Sequence, residues 1–237
     1  MSVIEISRLN EVFLAQNINL TADQSQKLAD YADLLVDWNE KINLTAITDS
    51  EGIIEKHFLD CFLPLSMFKM PQNAKVIDVG TGAGFPGIPW KIARSDINLT
   101  LLDSLQKRLN FLGEVLSKIG YEAELVHGRA EDLGNGEMRE SFDIATARAV
   151  ARLSVLAEYC LPFVEVGGYL VALKGPDAEN EIKDAENALK ILGGKVEKAL
   201  EYSLPSGDKR TFVLIKKVKN TPKNYPRPKG KMNKNPL

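Results

Sequence analysis

The sequence predicts an α/β protein in which a mostly parallel β-sheet is covered by helices on both faces. From residue 75 onward, short apolar runs alternate with segments of helical length, a pattern that is typical of crossover units in parallel sheets. The last two apolar runs follow each other without an intervening helix, so we expect a C-terminal hairpin with at least one antiparallel strand. Before residue 73 the pattern is mainly helical, and this predicts a helical N-terminal extension.

Residues 1–72 are predicted to form this extension. Thr21 and Gln24 match a capping box, in which the threonine side chain caps the helix and the glutamine reaches back to it. A polar loop over residues 39–48 follows, and Asp49 is placed to cap a further helix. The extension therefore contains at least two helices separated by a polar loop.

Residues 73–218 are predicted to form the sheet and its covering helices. The predicted strands are Val76–Val79, Leu99–Leu102, Ala123–His127, Phe142–Ala147, Tyr169–Leu173, Val196–Tyr202 and Thr211–Val218. The predicted helices between them are Pro86–Arg94, Leu105–Ile119, Ala151–Leu161 and Asp177–Leu192. Seven strands are therefore expected in one sheet.

The composition is that of a soluble globular protein, with 237 residues, 44% of them hydrophobic and 26% charged. The longest uncharged run, Val79–Trp90, has 12 residues and is too short to span a bilayer. Charges within residues 1–11 leave no room for a secretory signal. Two cysteines are too few for a disulfide scaffold, so we expect a cytoplasmic protein without membrane contact.

The net charge of −2 conceals an uneven distribution of charge along the chain. Residues 1–72 carry −6, residues 73–215 carry −4, and residues 216–237 carry +8 with no acidic side chain. A basic end that contains proline is typical of a flexible arm that contacts nucleic acid. The alternative is a solvated tail that only aids solubility. We expect the arm to comprise residues 219–237.

A glycine loop follows the first predicted strand. The segment from Asp78 to Gly87 contains Gly80, Gly82 and Gly84, which permit positive φ angles and a close approach of a ligand to the backbone. The carboxyl ends of parallel strands form the crevice in which open sheets bind ligands. Asp103 ends the second predicted strand, where its carboxylate would accept hydrogen bonds from a ribose.

Two cofactors compete for this loop. The string Gly82-x-Gly84-x-x-Gly87 satisfies the dinucleotide fingerprint, so a nucleotide-dependent oxidoreductase stays open as an alternative. The string starts late relative to the strand end, and Asp78 would repel a pyrophosphate. S-adenosylmethionine carries a sulfonium, an ammonium and a ribose but no phosphate. The loop therefore favours S-adenosylmethionine.

Two further segments are expected at the same sheet edge. Gly128–Asp132 follows the third predicted strand and offers groups that would hydrogen-bond an adenine, although such a segment is more often an ordinary polar loop. Arg148 ends the fourth predicted strand. An arginine that leaves a buried strand is costly without a partner, so pairing with an anion or stacking on a base is favoured.

Several segments of the chain match one known family. The matching segments, in chain order, are Asn43–Thr48, His57–Asp60, Asp78–Pro89, Leu102–Ser104 with Lys107-Arg108, Gly128–Asp132 and Thr146–Ala151. Together they closely resemble the glucose-inhibited-division protein B family, the bacterial guanine-N7 methyltransferases of small-subunit ribosomal RNA. The resemblance covers nearly the whole chain, including the basic end.

This resemblance implies a class I S-adenosylmethionine-dependent methyltransferase with a Rossmann-like sheet. The implied substrate is N7 of guanine 527 in 16S ribosomal RNA, as free RNA or in the small subunit. Gly80 and Phe85 are expected to contact the cofactor, Ala130 and Glu131 to flank its adenine, and Arg148 to line the pocket. A monomer is expected.

Guanine N7 has a free lone pair at neutral pH, so its methylation needs no general base. The candidate residues on the acceptor side are Asn43, His57, Arg148 and Lys174. His57, beside Phe58, is more often a hydrogen-bonded structural residue than a reactive one. No His/Cys cluster has metal-ligand spacing, so no metal is expected. The basic end alone would also suit a non-catalytic RNA-binding module, which stays open as a second alternative.

Overall fold

A computed structural model describes residues 2–237, and at Lys229 the backbone alone. Within this range seven strands form one sheet in the order β3-β2-β1-β4-β5-β7-β6. The strands are β1 (Lys75–Val79), β2 (Asn98–Asp103), β3 (Glu124–His127), β4 (Phe142–Arg148), β5 (Val164–Lys174), β6 (Gly194–Ser203) and β7 (Lys209–Lys217). Strand β7 pairs antiparallel with both β5 and β6, and the other pairings are parallel. The predicted mostly parallel seven-stranded sheet with a C-terminal hairpin is confirmed.

Helices precede the sheet and connect its strands. They are α1 (Ile6–Leu14), α2 (Ala22–Asn39), α3 (Ser50–Gly52), α4 (Asp60–Phe62), α5 (Gly87–Ala93), α6 (Gln106–Ile119), α7 (Ala130–Leu133), α8 (Leu153–Cys160), α9 (Ala178–Asp184), α10 (Glu186–Leu192) and α11 (Lys229–Lys234). A π-helical segment, Ile53–Leu59, joins α3 to α4. The predicted helix over 177–192 is divided at Ala185 into α9 and α10.

The N-terminal helices share a hydrophobic core with one face of the sheet. Alternate strand residues such as Val76, Leu99 and Ile144 point to this face and pack with buried side chains of α1, α2, α5 and α6. Tyr31 of α2 and Trp90 of α5 are fully buried there. Because side chains alternate along a strand, the intervening residues face the other side.

The local signals in the extension are confirmed. The Thr21 hydroxyl accepts a hydrogen bond from Gln24 N, and the Gln24 side chain accepts one from Thr21 N. The Asp49 carboxylate accepts from Gly52 N at the start of α3. Helical periodicity did not predict the π-helical segment, in which the chain carries an i→i+5 pattern of bonds.

The opposite face is covered by α8, α9 and α10 and by the C-terminal segment. Ile77, Ala145 and Leu170 point to this face and belong to its buried cluster. Met232 of α11 is fully buried in the same cluster. Both faces of the sheet are therefore covered, as expected for parallel strands.

Residues 219–237 run along the body of the protein instead of extending as the flexible arm that the sequence predicted. Arg139 donates hydrogen bonds to the carbonyls of Thr221 and Tyr225. Arg227 forms an ion pair with the nearly inaccessible Glu158 at 2.6 Å. These partners lie in distant parts of the chain, so charge counting over the segment could not reveal them.

Candidate functional site

A cavity of about 540 Å³ opens at the carboxyl ends of β1, β2 and β4. Its lining residues come from the glycine loop, the ends of these strands, the start of α7, the π-helical segment and the loop before α3. We call Gly80, Thr81, Gly82 and Asp103 the glycine wall. We call Thr45, His57, Phe85 and Arg148 the stacked wall. The cavity therefore joins elements of the sheet to elements of the N-terminal extension.

Gly80 and Gly82 give the glycine wall its shape. Both have left-handed backbones, with φ of +70° and +60°, which cost glycine little and other residues considerably more. A Cβ added at Gly80 would lie 3.1 Å from Val150 Cγ2 across the cavity wall. The backbone at Gly80 is thus open to a ligand only because the residue has no side chain.

Asp78 supports the glycine loop from beneath, and it does not line the cavity. Its Oδ2 accepts hydrogen bonds from the Thr81 hydroxyl at 2.8 Å and from Gly87 N at 3.0 Å. Complete burial raises the pKa of this carboxyl to about 6. Asp78 Oδ1 and the Thr146 hydroxyl on the neighbouring strand find no hydrogen-bond partner among residues 2–237.

Asp103 lies in the glycine wall at the end of β2 and is 2% exposed. Its Oδ2 accepts from Gly82 N at 2.9 Å, and its Oδ1 accepts from Leu105 N at 2.9 Å. Arg108 Nη1 lies 3.3 Å from Oδ2. Since two carboxylate oxygens offer about four acceptor sites, Asp103 retains capacity for the hydroxyl groups of a ligand.

The far end of the cavity is formed by the segment after β3. Ala130 and Glu131, which the family resemblance implies would flank the adenine, both line it. Glu131 is largely buried, and its carboxylate lies 3.9 Å from the Arg129 guanidinium. Tyr159 of α8 and Asn233 of α11 complete this end. The C-terminal segment therefore contributes directly to the cavity.

The stacked wall is held by contacts between aromatic and cationic groups. The His57 ring stacks on Phe85 with centroids 4.6 Å apart and planes 19° apart. The Arg148 guanidinium lies 4.7 Å from the Phe85 centroid, within the range of a cation–π contact. Phe85 also stacks on Tyr31 at 5.3 Å, so this wall is anchored in the core.

Arg148 has the partners that its place at the end of a buried strand requires. Its Nη1 donates to the carbonyl of Lys56 at 2.9 Å and lies 3.4 Å from Asp60 Oδ2. Asp60 is also bonded by the Tyr202 hydroxyl at 2.9 Å and contacted by Arg210 at 3.4 Å. The guanidinium is thus fixed from the side opposite the cavity.

His57 is a neutral imidazole in this environment. Burial, and secondly the positive charge of Arg148, lower its pKa to about 4. Its Nε2 lies 2.8 Å from the Thr45 hydroxyl and its Nδ1 lies 3.3 Å from Arg148 Nη2. The structural role that the sequence favoured for His57 therefore coexists with a place in the cavity wall.

Besides Asp78, three other predicted site residues do not line the cavity. Gly84 faces the core, where an added Cβ would lie 2.6 Å from Tyr31 Oη and 2.8 Å from Leu112 Cδ2. Asn43 is exposed in the loop before α3. Lys174 forms an ion pair with Glu181 at 2.6 Å and donates to the Ala151 carbonyl.

Sequence reasoning missed several residues of the cavity wall. Thr45, Arg108, Val150 and Asn233 all line it. Thr45 and Arg108 lie within segments that carried the family resemblance, so a signal for them was present. Asn233 lies in the basic end, far along the chain from every other lining residue, and no local pattern marks it.

The geometry around the glycine loop does not suit a dinucleotide. Gly87, the last glycine of that fingerprint, directs its backbone N–H to the buried Asp78 carboxylate. A Cβ at Gly87 would lie 2.6 Å from Leu101 Cδ2, so this glycine serves close packing. A pyrophosphate would have to compete with a carboxylate at the helix start. A ligand with hydroxyl groups and positive charge, such as S-adenosylmethionine, fits the acidic groups better.

Across residues 2–237, no group of three or more His, Cys, Asp or Glu side chains is arranged to hold a metal ion. The helices described there include none with the length and apolar character needed to cross a membrane. Burial raises the thiol pKa of both Cys61 and Cys160, which makes them poor nucleophiles.

The strand order and the cavity over the glycine loop define the class I S-adenosylmethionine-dependent methyltransferase fold. A methyltransferase structure from Pyrococcus furiosus covers 82% of this chain and 100% of its own, with a TM-score of 0.56 and 15% identity. A SAM-dependent methyltransferase structure from Aquifex aeolicus covers 68% of this chain and 92% of its own, with a TM-score of 0.51 and 21% identity. The sequence profile of the GidB family, rRNA small subunit methyltransferase G, matches residues 24–213. The chain belongs to this family.

Curated relatives agree with this assignment. The ribosomal RNA small subunit methyltransferase G of Clostridium novyi is 50% identical over 228 residues, which cover 94% of each chain. The protein of the same name from Lactobacillus johnsonii is 50% identical over 223 residues, covering 92% of this chain and 93% of its own. The family resemblance found in the sequence is therefore confirmed.

Proposed function

We propose that this protein transfers a methyl group from S-adenosylmethionine to N7 of guanine 527 in 16S ribosomal RNA, acting as a cytoplasmic monomer. The observation that carries the proposal is that the glycine wall and the stacked wall line the same cavity. The glycine wall suits the cofactor, and the stacked wall offers polar and planar groups for a base. Membership of the rRNA small subunit methyltransferase G family supports the choice of substrate.

The cofactor would be held by backbone and carboxylate groups. Gly80 permits close approach of the ligand, and Asp103 has acceptor capacity for ribose hydroxyls. Ala130 and Glu131 would flank the adenine at the far end of the cavity. Asp78 would act indirectly, because its two hydrogen bonds fix the loop that carries Gly80 and Gly82.

The reaction is a displacement without proton transfer. When bound, the cofactor supplies a methyl group that is activated by a sulfonium. Transfer of this methyl group to the lone pair of guanine N7 would leave the sulfur neutral and the positive charge on the base, so the protein would have no proton to move. Orientation of the two reactants in this cavity can supply roughly 7–11 kcal/mol of such a barrier.

The state of His57 suits this charge movement. Arg148 already places one fixed positive charge in the stacked wall, and a protonated imidazole would add a second one beside the methylated base, which is itself positively charged. With a pKa of about 4 the ring is neutral at physiological pH. The stacked wall therefore positions the guanine without adding a titrating cation, and no general base is required.

The predicted acceptor-side residues divide by their surroundings. Arg148 and His57 lie in the cavity and would contact or orient the guanine. Asn43 is exposed beside the cavity, where it would contact the RNA around the target base. Lys174 is tied to Glu181, and this favours a role in fixing the backbone at Ala151.

Exposed basic side chains around the cavity would hold the RNA backbone. Arg129 and Arg152 retain 55% and 62% exposure of their side chains, and Lys231 and Lys234 are exposed on α11. Contacts of such groups with phosphates give affinity that falls with salt. The packed C-terminal segment would thus contribute to RNA binding from a fixed position.

The test is methylation of small ribosomal subunits isolated from cells that lack the modification. Purified protein and isotopically labelled S-adenosylmethionine should add one methyl group to a guanine, located by mass spectrometry of RNA fragments. Free 16S RNA tested in parallel would distinguish the two forms of substrate. Binding of RNA without any methyl transfer would favour the non-catalytic RNA-binding module instead.

A further inference from the structure

Thr45 has no role in the function described above, although its side chain lies in the stacked wall. The residue is half-buried in the loop between α2 and α3 and lines the cavity. Its hydroxyl oxygen is contacted by Ile47 N at 3.0 Å and by His57 Nε2 at 2.8 Å. What this hydroxyl offers to a ligand depends on the direction of these two hydrogen bonds.

The contact with Arg148 assigns the direction of the hydrogen bond between His57 and Thr45. A guanidinium has only donors, so His57 Nδ1, which lies 3.3 Å from Arg148 Nη2, must be the acceptor. Because the ring is neutral, with a pKa of about 4, its single proton is on Nε2. His57 therefore donates to the Thr45 oxygen, and stacking on Phe85 holds the ring in this orientation.

The Thr45 oxygen consequently receives two hydrogen bonds. A hydroxyl has two lone pairs and one hydrogen. The backbone N–H of Ile47 and the imidazole N–H of His57 occupy both lone pairs. Within residues 2–237 the hydroxyl donates to no other group at hydrogen-bond distance. In this environment Thr45 is a hydrogen-bond donor only.

We propose that Thr45 is a specificity-determining residue that donates its hydroxyl hydrogen to O6 of the target guanine. This inference rests on the proposed function. O6 and N7 lie on the same edge of guanine, and O6 is an acceptor. Adenine presents an amino donor at the same position, so it would leave two donors facing each other without an acceptor. A hydroxyl that is free to rotate would accept a hydrogen bond from the adenine amino group. Thr45 is prevented from doing so, because Arg148 donates to His57 and His57 in turn donates to the Thr45 oxygen.

The experiment compares two bases at the target position. A synthetic segment with guanine or 2-aminopurine, which keeps N7 and lacks O6, is ligated into otherwise identical 16S ribosomal RNA and assembled into subunits. Methyl transfer is measured as kcat/KM for the wild type, Thr45→Val and Thr45→Ser. Thr48→Val, at an exposed position on the same loop, is the matched control.

On guanine, Thr45→Val should be roughly 10- to 100-fold slower, the range expected for a lost base contact. Thr45→Ser and Thr48→Val should stay within about threefold of the wild type, since the former keeps the hydroxyl and the latter lies outside the cavity. On 2-aminopurine, Thr45→Val should cause no further loss, because the partner of the hydroxyl is already absent. Cofactor affinity, measured by calorimetry, should be the same in all variants.

Two results would overturn the inference while the proposed function stands. One is full activity of Thr45→Val on guanine, and the other is an equal loss on guanine and 2-aminopurine, which would show a purely structural role. If the wild type left the guanine unmethylated, the proposed function would fail and this inference with it. Activity of the wild type on guanine therefore separates the two failures.

Discussion

The two walls of the cavity are assembled in opposite ways. The glycine wall comes mostly from one short stretch, in which β1 ends, the loop turns on Gly80 and Gly82, and Asp103 from the adjacent β2 receives the Gly82 N–H. The stacked wall brings together Thr45, His57 and Arg148 from three separate elements. A wall formed by one segment depends on backbone conformation, whereas a wall formed by several depends on every element that supports it.

The comparison predicts that the two walls fail separately. A change in the glycine wall should remove cofactor binding and leave RNA binding intact. A change in the stacked wall should reduce methyl transfer and leave cofactor binding intact. The predictions below test this separation, beginning with the largest expected effect.

The largest effect is expected from Gly80→Val. The new side chain would collide with Val150 and occupy the cavity, and the left-handed backbone would be strained. Calorimetry should detect no binding of S-adenosylmethionine at concentrations that saturate the wild type, whereas RNA affinity is retained. Gly175→Ala is the matched control, since a Cβ there meets nothing within 4 Å. Normal cofactor affinity of Gly80→Val would show that the glycine wall does not bind the cofactor.

A second prediction tests whether cofactor binding depends on the C-terminal segment, which contributes Asn233 to the far end of the cavity. Glu158→Ala would leave the half-buried Arg227 without its anion. Breaking such a pair costs about 3–5 kcal/mol, and we expect a loss near the lower value in denaturant unfolding. Cofactor affinity should also fall, because Asn233 lies beyond Arg227 in the same segment and lines the cavity.

The matched control is Glu186→Ala, which removes an exposed glutamate from α10. This variant should change neither the free energy of unfolding nor the affinity for the cofactor. If Glu158→Ala lost stability but kept full cofactor affinity, the C-terminal segment would be only a support for α8. The C-terminal segment would then contribute to RNA binding and not to cofactor binding.

A third prediction concerns the pH dependence of stability, to which His57 of the stacked wall and Asp78, which supports the glycine wall, contribute with opposite signs. His57 has an ordinary pKa of 6.5 and a folded pKa of about 4, so its contribution is present above pH 6.5 and is lost as the pH falls toward 4. Asp78 has an ordinary pKa of 3.8 and a folded pKa of about 6. Its contribution is present below pH 3.8 and is lost as the pH rises toward 6.

Between pH 4 and pH 6 the contributions of His57 and Asp78 to the free energy of unfolding change in opposite directions in the wild type. On acidification from pH 7 to pH 4.5, His57→Gln should gain free energy of unfolding relative to the wild type, and Asp78→Asn should lose it. The expected size is about 2 kcal/mol for each, at roughly 1.4 kcal/mol per pH unit. Denaturant unfolding at both pH values measures it. Changes of the same sign in both variants would contradict the assignment.

The smallest expected effect is on the pH dependence of methyl transfer. Because guanine N7 needs no general base and His57 stays neutral above its pKa of about 4, kcat should be nearly constant from pH 5.5 to 8. A single-turnover assay at several pH values is the appropriate measurement. An acidic limb near pH 6.5 that vanished in His57→Gln would show that His57 takes part as a base.

The same contrast explains what the sequence could predict. The alternation of strands and helices, the final hairpin and the glycine loop are local patterns, and the structure has all of them. Such local patterns predict a ligand site at Gly80 and Asp103, whereas Phe85 and Ala130 are implied by the family resemblance; all four line the cavity. Gly84 was grouped with its neighbours by spacing alone, although its backbone faces Tyr31 and Leu112.

The stacked wall could be predicted only in part, because it is formed by contacts between elements that are far apart in the chain. Arg148 was identified from the cost of an arginine at the end of a buried strand, but its partner Asp60 could not be. The sequence around Thr45 does not distinguish it from other loop threonines, because its role depends on His57 and Ile47, which occupy the lone pairs of its hydroxyl. The packing of the basic end required Glu158 and Arg139, which no charge count over that end includes.

The π-helical segment Ile53–Leu59 determines the direction in which its side chains point toward the stacked wall. Each residue of an α-helix turns the chain by about 100°, and a π-helix accommodates an additional residue within its bonded turn. Lys56 and His57, which both contact Arg148, lie within this segment. We expect that deletion of one residue here would let the segment relax to an α-helix and turn His57 away from Phe85. The rotation of the side chains about the axis of this one short helix would then determine which of them reach the cavity.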